Sequence, residues 1–499
     1  MQKKFLKNLI FLLFLNLLVK PFWILGIDRQ VQNVTGTQEY GFYFAIFNFS
    51  YLFFIFLDLG ITNFNNRNIA RNNHQLKEHF GGMATMKLLL GFGYGILVFV
   101  VASLIGYQGH QLYLLAWVGF NQFLLSFILY LRSNISGLLL FSTDSVISVM
   151  DRLLMILFVG ILLWTGVFGH RFSIEWFVYA QSLAYFLTAC FALMIVLRKS
   201  GKLRLHWDFS FFKMILRKSL PFALLVLMMS FYSRMDSVMI ERLLPRPLGD
   251  LQAGVYALAY RLLNAAQNIA YLFAILLLPL FSKMLKERKP VDGLVRLSFS
   301  ILMSGALIMA VVTHFFAKDI MLLMYSQHSG ETIIAFDLRI KQSAFIFKLL
   351  MWSFVGVSSN YIFGTLLTAN NSLKTLNAIA LLGLLLNFSL NWILIPKYHA
   401  VGSAVATLAT QLVTALLEVI FAFAVLRLKN RMGMWLRLLL LFAGTFLMAL
   451  VLQQVNFGSW ELRLVLLAAL GLLLGIIIKA LDVRQFVDIL MDKADKDNY

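Results

Sequence analysis

Leu464-Val465-Leu466-Leu467-Ala468-Ala469-Leu470-Gly471-Leu472-Leu473-Leu474-Gly475-Ile476-Ile477-Ile478 contains no polar side chain. Extended to 461–480, it has the roughly 20 residues needed to cross a hydrocarbon core of about 30 Å. Thirteen further stretches read the same way: 5–27, 40–62, 82–106, 112–131, 149–168, 174–197, 216–243, 252–280, 295–316, 341–368, 376–395, 401–426 and 435–455. Lipid offers the backbone no hydrogen-bond partners, so such spans must be helices. The composition agrees, with 60% hydrophobic and 13% charged residues and a mean hydropathy of +0.81. A soluble domain of this composition would not stay dispersed. The expected fold is an all-α integral membrane protein with about 14 transmembrane helices.

Cys190 is the single cysteine, which excludes an intrachain disulfide and a Cys/His metal cluster. The basic start (Lys3, Lys4, Lys7) resembles a signal peptide, but the segment is long and lacks a small-residue cleavage site, so an uncleaved first span is expected. The net charge of +20 is placed by topology rather than by nucleic acid. With a cytoplasmic N-terminus, cytoplasmic segments carry about 28 Lys and Arg and external ones about 9. The excess lies in Arg198 to Lys218 and in Lys283, Lys286, Arg288 and Lys289. Both termini are therefore expected in the cytoplasm, with the basic loops meeting anionic membrane lipids.

Two stretches match at an offset of 213 residues. Ile27-Asp28-Arg29 aligns with Ile240-Glu241-Arg242, and Gly41-Phe42-Tyr43 with Gly254-Val255-Tyr256. Each copy lies at the external bend of a hairpin, six spans apart, as in transporters built from parallel repeats. The expected organisation is an N-terminal lobe (1–200, helices 1–6), a C-terminal lobe (201–430, helices 7–12) related by a pseudo-twofold, two extra helices (431–480) and a cytoplasmic tail (481–499).

Lys20, Arg234, Arg261 and Lys348 fall inside apolar sequence. A cation at mid-bilayer costs at least about 2.5–3.5 kcal/mol on insertion scales, which marks such residues as functional candidates. Lys348 lies roughly 10 Å from its external end at 1.5 Å per residue, so snorkelling is an alternative. Arg234 and Arg261 reach similar depths, as an anion site requires. Arg suits phosphate because its planar fork bonds two oxygens. Asn16, one turn before Lys20, extends a polar stripe. Lys87 and Arg152 lie near cytoplasmic span ends and are expected at the interface. Asp236 follows Arg234 by two residues, about 200° around a helix, so the two do not pair directly. Asp236 either forms an internal ion pair with Arg261 or tunes a hydrated cavity. Asp236, Glu418 and Asp58 are the acidic candidates for binding a coupling ion.

Several stretches resemble one family. They are Tyr232-Ser233-Arg234-Met235-Asp236-Ser237 with Gly254 to Leu262, Leu57-Asp58-Leu59-Gly60-Ile61, Thr143-Asp144-Ser145 to Asp151-Arg152, and Asn387 to Pro396 with Gly402 to Thr407. Together they are similar to the polysaccharide-transport branch of the multidrug/oligosaccharidyl-lipid/polysaccharide exporter superfamily, which includes O-antigen and capsule-repeat flippases. The resemblance implies translocation of an undecaprenyl-pyrophosphate-linked oligosaccharide across the bacterial inner membrane by alternating access. It implies pyrophosphate contacts at Arg234 and Arg261, with Lys20. By analogy with a lipid-linked peptidoglycan precursor flippase, spans 13 and 14 would form a groove for the lipid tail. No cofactor beyond a coupling H+ or Na+ is expected. Glycosyltransferases and a polysaccharide polymerase are the expected protein partners.

Two other classes compete. Drug antiporters of the same superfamily usually have twelve spans and acidic cavities. A membrane glycosyltransferase or polymerase usually needs a large external catalytic loop. The longest external loop expected here, about Ala317 to Ile340, holds only Asp319, Glu331 and Asp337, without a paired-carboxylate pattern. No nucleotide-binding loop is present.

Overall fold

The computed structural model describes residues 15, 18–19, 21–62, 65–66, 69, 74–138, 140–165, 172–200, 209–328, 330–428, 432–455 and 458–482. Among these, eleven helices are long and apolar enough to cross a membrane, and no strand occurs. The chain divides into two compact units, Met1–Gly254 and Val255–Tyr499.

In the first unit a π-helical turn, Trp23–Asp28, continues as α1 (Arg29–Thr35), and α2 (Thr37–Leu52) follows after Gly36. The polar bend expected after residue 27 is thus helical. Its carboxylate is satisfied internally: Asp28, 2% exposed, accepts hydrogen bonds from Gln32 (3.1 Å) and the Tyr40 hydroxyl (3.0 Å). Then come α3 (Gln75–Leu104), α4 (His110–Gly137), α5 (Phe141–Trp164), α6 (Ile174–Ser200) and α7 (Phe209–Leu243). α8 (Leu248–Lys286) crosses the boundary between the units.

The second expected span, 40–62, is broken. After α2 the chain forms a 3-10 turn, Phe54–Leu57, and then Leu59 and Gly60 adopt positive φ (44° and 81°). The break frees backbone carbonyls that lipid cannot satisfy. The Leu57 carbonyl instead accepts from Lys87 Nζ (3.0 Å) and Ser126 Oγ (3.0 Å).

The second unit holds α9 (Asp292–Met324), α10 (Ile333–Ala369), α11 (Leu373–Leu426), α12 (Met432–Gln454) and α13 (Trp460–Ile477). α11 is two spans: its backbone leaves helical geometry at His399 (φ 52°). The backbone of Gly402 lies against the Leu394 carbonyl. An unbroken helix would separate these residues by about 12 Å, so the chain reverses here. α12 and α13 pack on α9 through Val311, Phe316, Ala449 and Leu467.

The external loop expected over 317–340 shrinks to the segment between Met324 and Ile333. Ion pairs carry both helices outward through polar sequence. Asp337 joins Lys318 (3.4 Å) and Lys341 (2.6 Å). Glu331 takes a two-pronged bond from Arg339, at 2.8 Å on each side.

Candidate cation site

Arg234 projects from α7 within the first unit. Its Nη1 donates to Asn48 Oδ1 of α2 (3.2 Å), and its guanidinium lies 3.9 Å from the centre of the Tyr51 ring. Asn48 and Tyr51 are neutral. No carboxylate pairs with Arg234 among the described residues, so its charge is oriented without being cancelled. Asn48 stands 213 residues before Arg261, at the equivalent position of the first repeat copy.

The two cations expected near span ends lie well inside their helices, Lys87 buried and Arg152 half-buried. α5 begins at Phe141, eight residues before the expected edge, because the polar run Ser142 to Ser148 is helical. Asp144 in that run is held by Arg132 (2.7 and 3.2 Å). Arg152 therefore sits about 16 Å along the helix. Its guanidinium lies 5.7 Å from the Trp23 ring and 5.8 Å from the Tyr185 ring, with Asp151 at 3.6 Å. A polar helix start next to an apolar run was the available signal for this depth.

Lys87, 1% exposed, lies about 18 Å along α3. It pairs with Asp58 (2.5 Å) and donates to Ser126 (3.0 Å). Asp58 also accepts from the Thr62 hydroxyl and from its N–H (3.3 Å). Its carboxylate is committed to clamping the broken span. The buried Asp236, 1% exposed, lies on α7 beside Arg234 in sequence.

The second unit carries the remaining candidates. Arg261 is half-buried on α8. Lys348 is half-buried on α10, within electrostatic range of His314 on α9. Glu418 is 6% exposed on the second half of α11, and its Oε2 makes no hydrogen bond. The missing Cβ of Gly364 on α10 leaves room for that carboxylate. Asn360, one turn before Gly364, donates to Gln411 (3.1 Å) and Thr414 (3.2 Å), which lie two turns and one turn before Glu418. Asn16 and Lys20 lie outside the described residues.

Residues 5–285 match the family model described as "Polysaccharide biosynthesis protein". The chain belongs to the polysaccharide biosynthesis protein family. Several solved membrane-protein structures share the fold of this member of the family. A lipid II flippase, MurJ, in an inward closed conformation matches with a TM-score of 0.68 and 14% identity, covering 94% of this chain and 99% of its own. An inward-facing multidrug resistance MATE transporter matches with a TM-score of 0.57 and 17% identity, covering 83% and 94%. A MOP superfamily transporter from Pyrococcus furiosus, described with a binding pocket of reversed polarity, matches with a TM-score of 0.56 and 17% identity, covering 85% and 96%. No curated protein matches the chain by sequence. The family is one of polysaccharide biosynthesis, and the described helices are those of a multi-pass membrane protein. Among the described residues, no group of three or more His, Cys, Asp or Glu side chains could hold a metal ion.

Proposed function

We propose that the protein is a flippase moving an undecaprenyl-pyrophosphate-linked oligosaccharide across the bacterial inner membrane by alternating access. The observation that carries this reading is Arg234, an intramembrane guanidinium whose contacts are an amide and an aromatic ring. A charge held by neutral partners at that depth is costly unless an anion uses it. A pyrophosphate supplies two negative groups that a planar fork bonds well. Arg152 is the second phosphate-facing cation of the first unit, set between Trp23 and Tyr185, whose rings also suit sugar faces. Arg261 and Lys348 are the candidates in the second unit, and Lys20 and Asn16 extend the set in span 1.

The chain is read as two six-helix lobes, 1–200 and 201–430, with helices 431–480 added and a tail over 481–499. The basic segments place both termini in the cytoplasm. The added helices, read as a lipid-tail groove, present exposed Leu439, Leu447, Leu472 and Ile476. Of the acidic candidates for a coupling proton or sodium ion, Glu418 is the one whose carboxylate has an unbonded buried oxygen. Asp236 is the second, and Asp58 is occupied by Lys87. A polysaccharide polymerase and glycosyltransferases would be the partner enzymes.

A drug antiporter is the second reading, since MATE transporters share the fold. Oriented interior cations favour an anionic cargo over a cationic drug. The test is export of a surface polysaccharide in cells that depend on this protein. Arg234→Ala should abolish export while the protein still reaches the membrane at normal abundance. Full export by that variant would overturn the reading.

A further inference from the structure

At the end of the second unit that follows the exposed basic residues Lys283, Lys286, Arg288 and Lys289, a cavity of about 140 Å³ opens among the ends of four helices. Asp292 and Arg296 of α9, Phe363 of α10, Phe423 of α11 and Met434 of α12 line it, with Phe299 of α9. Phe299 ties the walls together, packing on Phe363 (5.2 Å) and Trp435 (5.4 Å). Arg296 is half-buried and makes no hydrogen bond or ion pair among the described residues. Asp292, one turn earlier, has an interaction of its own. A Cβ on Gly293 would meet no described atom within 4 Å, so the first turn of α9 is open at that position.

We propose that this cavity binds the headgroup of an anionic phospholipid of the surrounding bilayer, with the lipid phosphate on Arg296. Three observations select that occupant. Arg296 forms no ion pair among the described residues, and the neighbouring basic segment outweighs the single carboxylate of Asp292 in the cavity wall, giving a positive potential that attracts anionic headgroups. The remaining walls are aromatic and aliphatic, which suits the glycerol and upper chain of an amphiphile and not a hydrated inorganic ion. The cavity lies at the ends of membrane-spanning helices, where headgroups are concentrated. A lipid here would staple α12 to the ends of α9, α10 and α11. The site is separate from the cations assigned to cargo, and the proposal does not depend on the transport reading.

The test uses the full-length protein, delipidated in detergent. It is titrated with phosphatidylglycerol, phosphatidylcholine, inorganic phosphate or undecaprenyl pyrophosphate, reading Tm and the lipid adducts retained in native mass spectra. Phosphatidylglycerol should raise Tm and leave one tightly held adduct, with phosphatidylcholine and inorganic phosphate giving little. Arg296→Ala should weaken the phosphatidylglycerol effect about ten-fold, as expected for losing a charge-assisted bond. Arg296→Lys should retain part of it, and Arg288→Ala, which removes one charge of the neighbouring segment and no contact within the cavity, should weaken it far less than Arg296→Ala. Should Arg296→Ala fail to fold, Arg296→Gln and the wild-type adduct pattern decide the same question. Equal stabilisation by phosphatidylcholine, an unchanged response in the Arg296 variants, reproduction by inorganic phosphate, or displacement of the adduct by undecaprenyl pyrophosphate at equal concentration would each overturn the proposal.

Discussion

Gly41 and Gly254, which share one position of the 213-residue repeat, meet backbone to backbone. A Cβ on Gly41 would fall on the Asp250 carbonyl and the Gly254 nitrogen, and a Cβ on Gly254 would fall on the Thr37 carbonyl. Small residues let membrane helices approach this closely. Near the same bend Glu241, the repeat mate of Asp28, accepts from Gln111 (2.9 Å) and from Arg242 (2.6 and 2.8 Å). Arg242 in turn donates to the Ile105 carbonyl (3.2 Å).

This contact predicts that Gly41→Ala and Gly254→Ala force the two backbones apart, at a cost of about 1–3 kcal/mol for overpacking. A cysteine placed at Phe42 should become more reactive to a polar thiol reagent in either variant, and export should fall. Unchanged labelling would show that the glycines do not set this close approach.

The ion pair under the broken span predicts asymmetric stability effects. Asp58→Asn leaves the Lys87 ammonium buried without its counter-charge, costing about 3–5 kcal/mol. The double variant Lys87→Met with Asp58→Asn should recover part of this loss. Thermal unfolding of the purified protein checks both, and equal stabilities would deny the pair its structural role.

Arg152 predicts a charge-shape distinction. Arg152→Ala should abolish export at normal membrane abundance. Arg152→Lys should restore only a fraction, because an ammonium cannot stack between Trp23 and Tyr185 as a guanidinium does. Full restoration by Lys would mean that charge alone matters there.

Glu331, in the segment between α9 and α10, predicts a pH dependence. Burial pushes its carboxyl upward. The Arg339 fork and the His328 N–H outweigh burial and hold it below the ordinary value of 4.5. A depressed folded-state pKa contributes stability that is fully present above 4.5 and is lost as pH falls through the folded value. Protease resistance of this segment should therefore decline below about pH 4.5 in the wild type. Glu331→Gln should be less resistant at pH 7 and flatter with pH.

Helix class was legible because unbroken apolar runs admit one structure in lipid, and eleven of the described helices are long and apolar enough to span it. Arg234 stood out for the same reason, as a charge where charge is costly. The depth of Arg152 and Lys87 was not legible. Helix ends here run through polar sequence held by distant partners, Asp144 with Arg132 and Asp337 with Lys318. The break at Leu59 and Gly60 was hidden too, since its cost is met by Lys87 and Ser126 from other helices. Hydropathy reads each segment alone and cannot register such cross-helix compensation.

The most direct test of the central claim is equilibrium binding of an undecaprenyl-pyrophosphate-linked sugar to the purified protein in lipid nanodiscs. Arg234→Ala should bind at least about ten-fold more weakly than the wild type, with Arg234→Lys intermediate. Equal affinity of wild type and Arg234→Ala would contradict the assignment of that guanidinium to the phosphates.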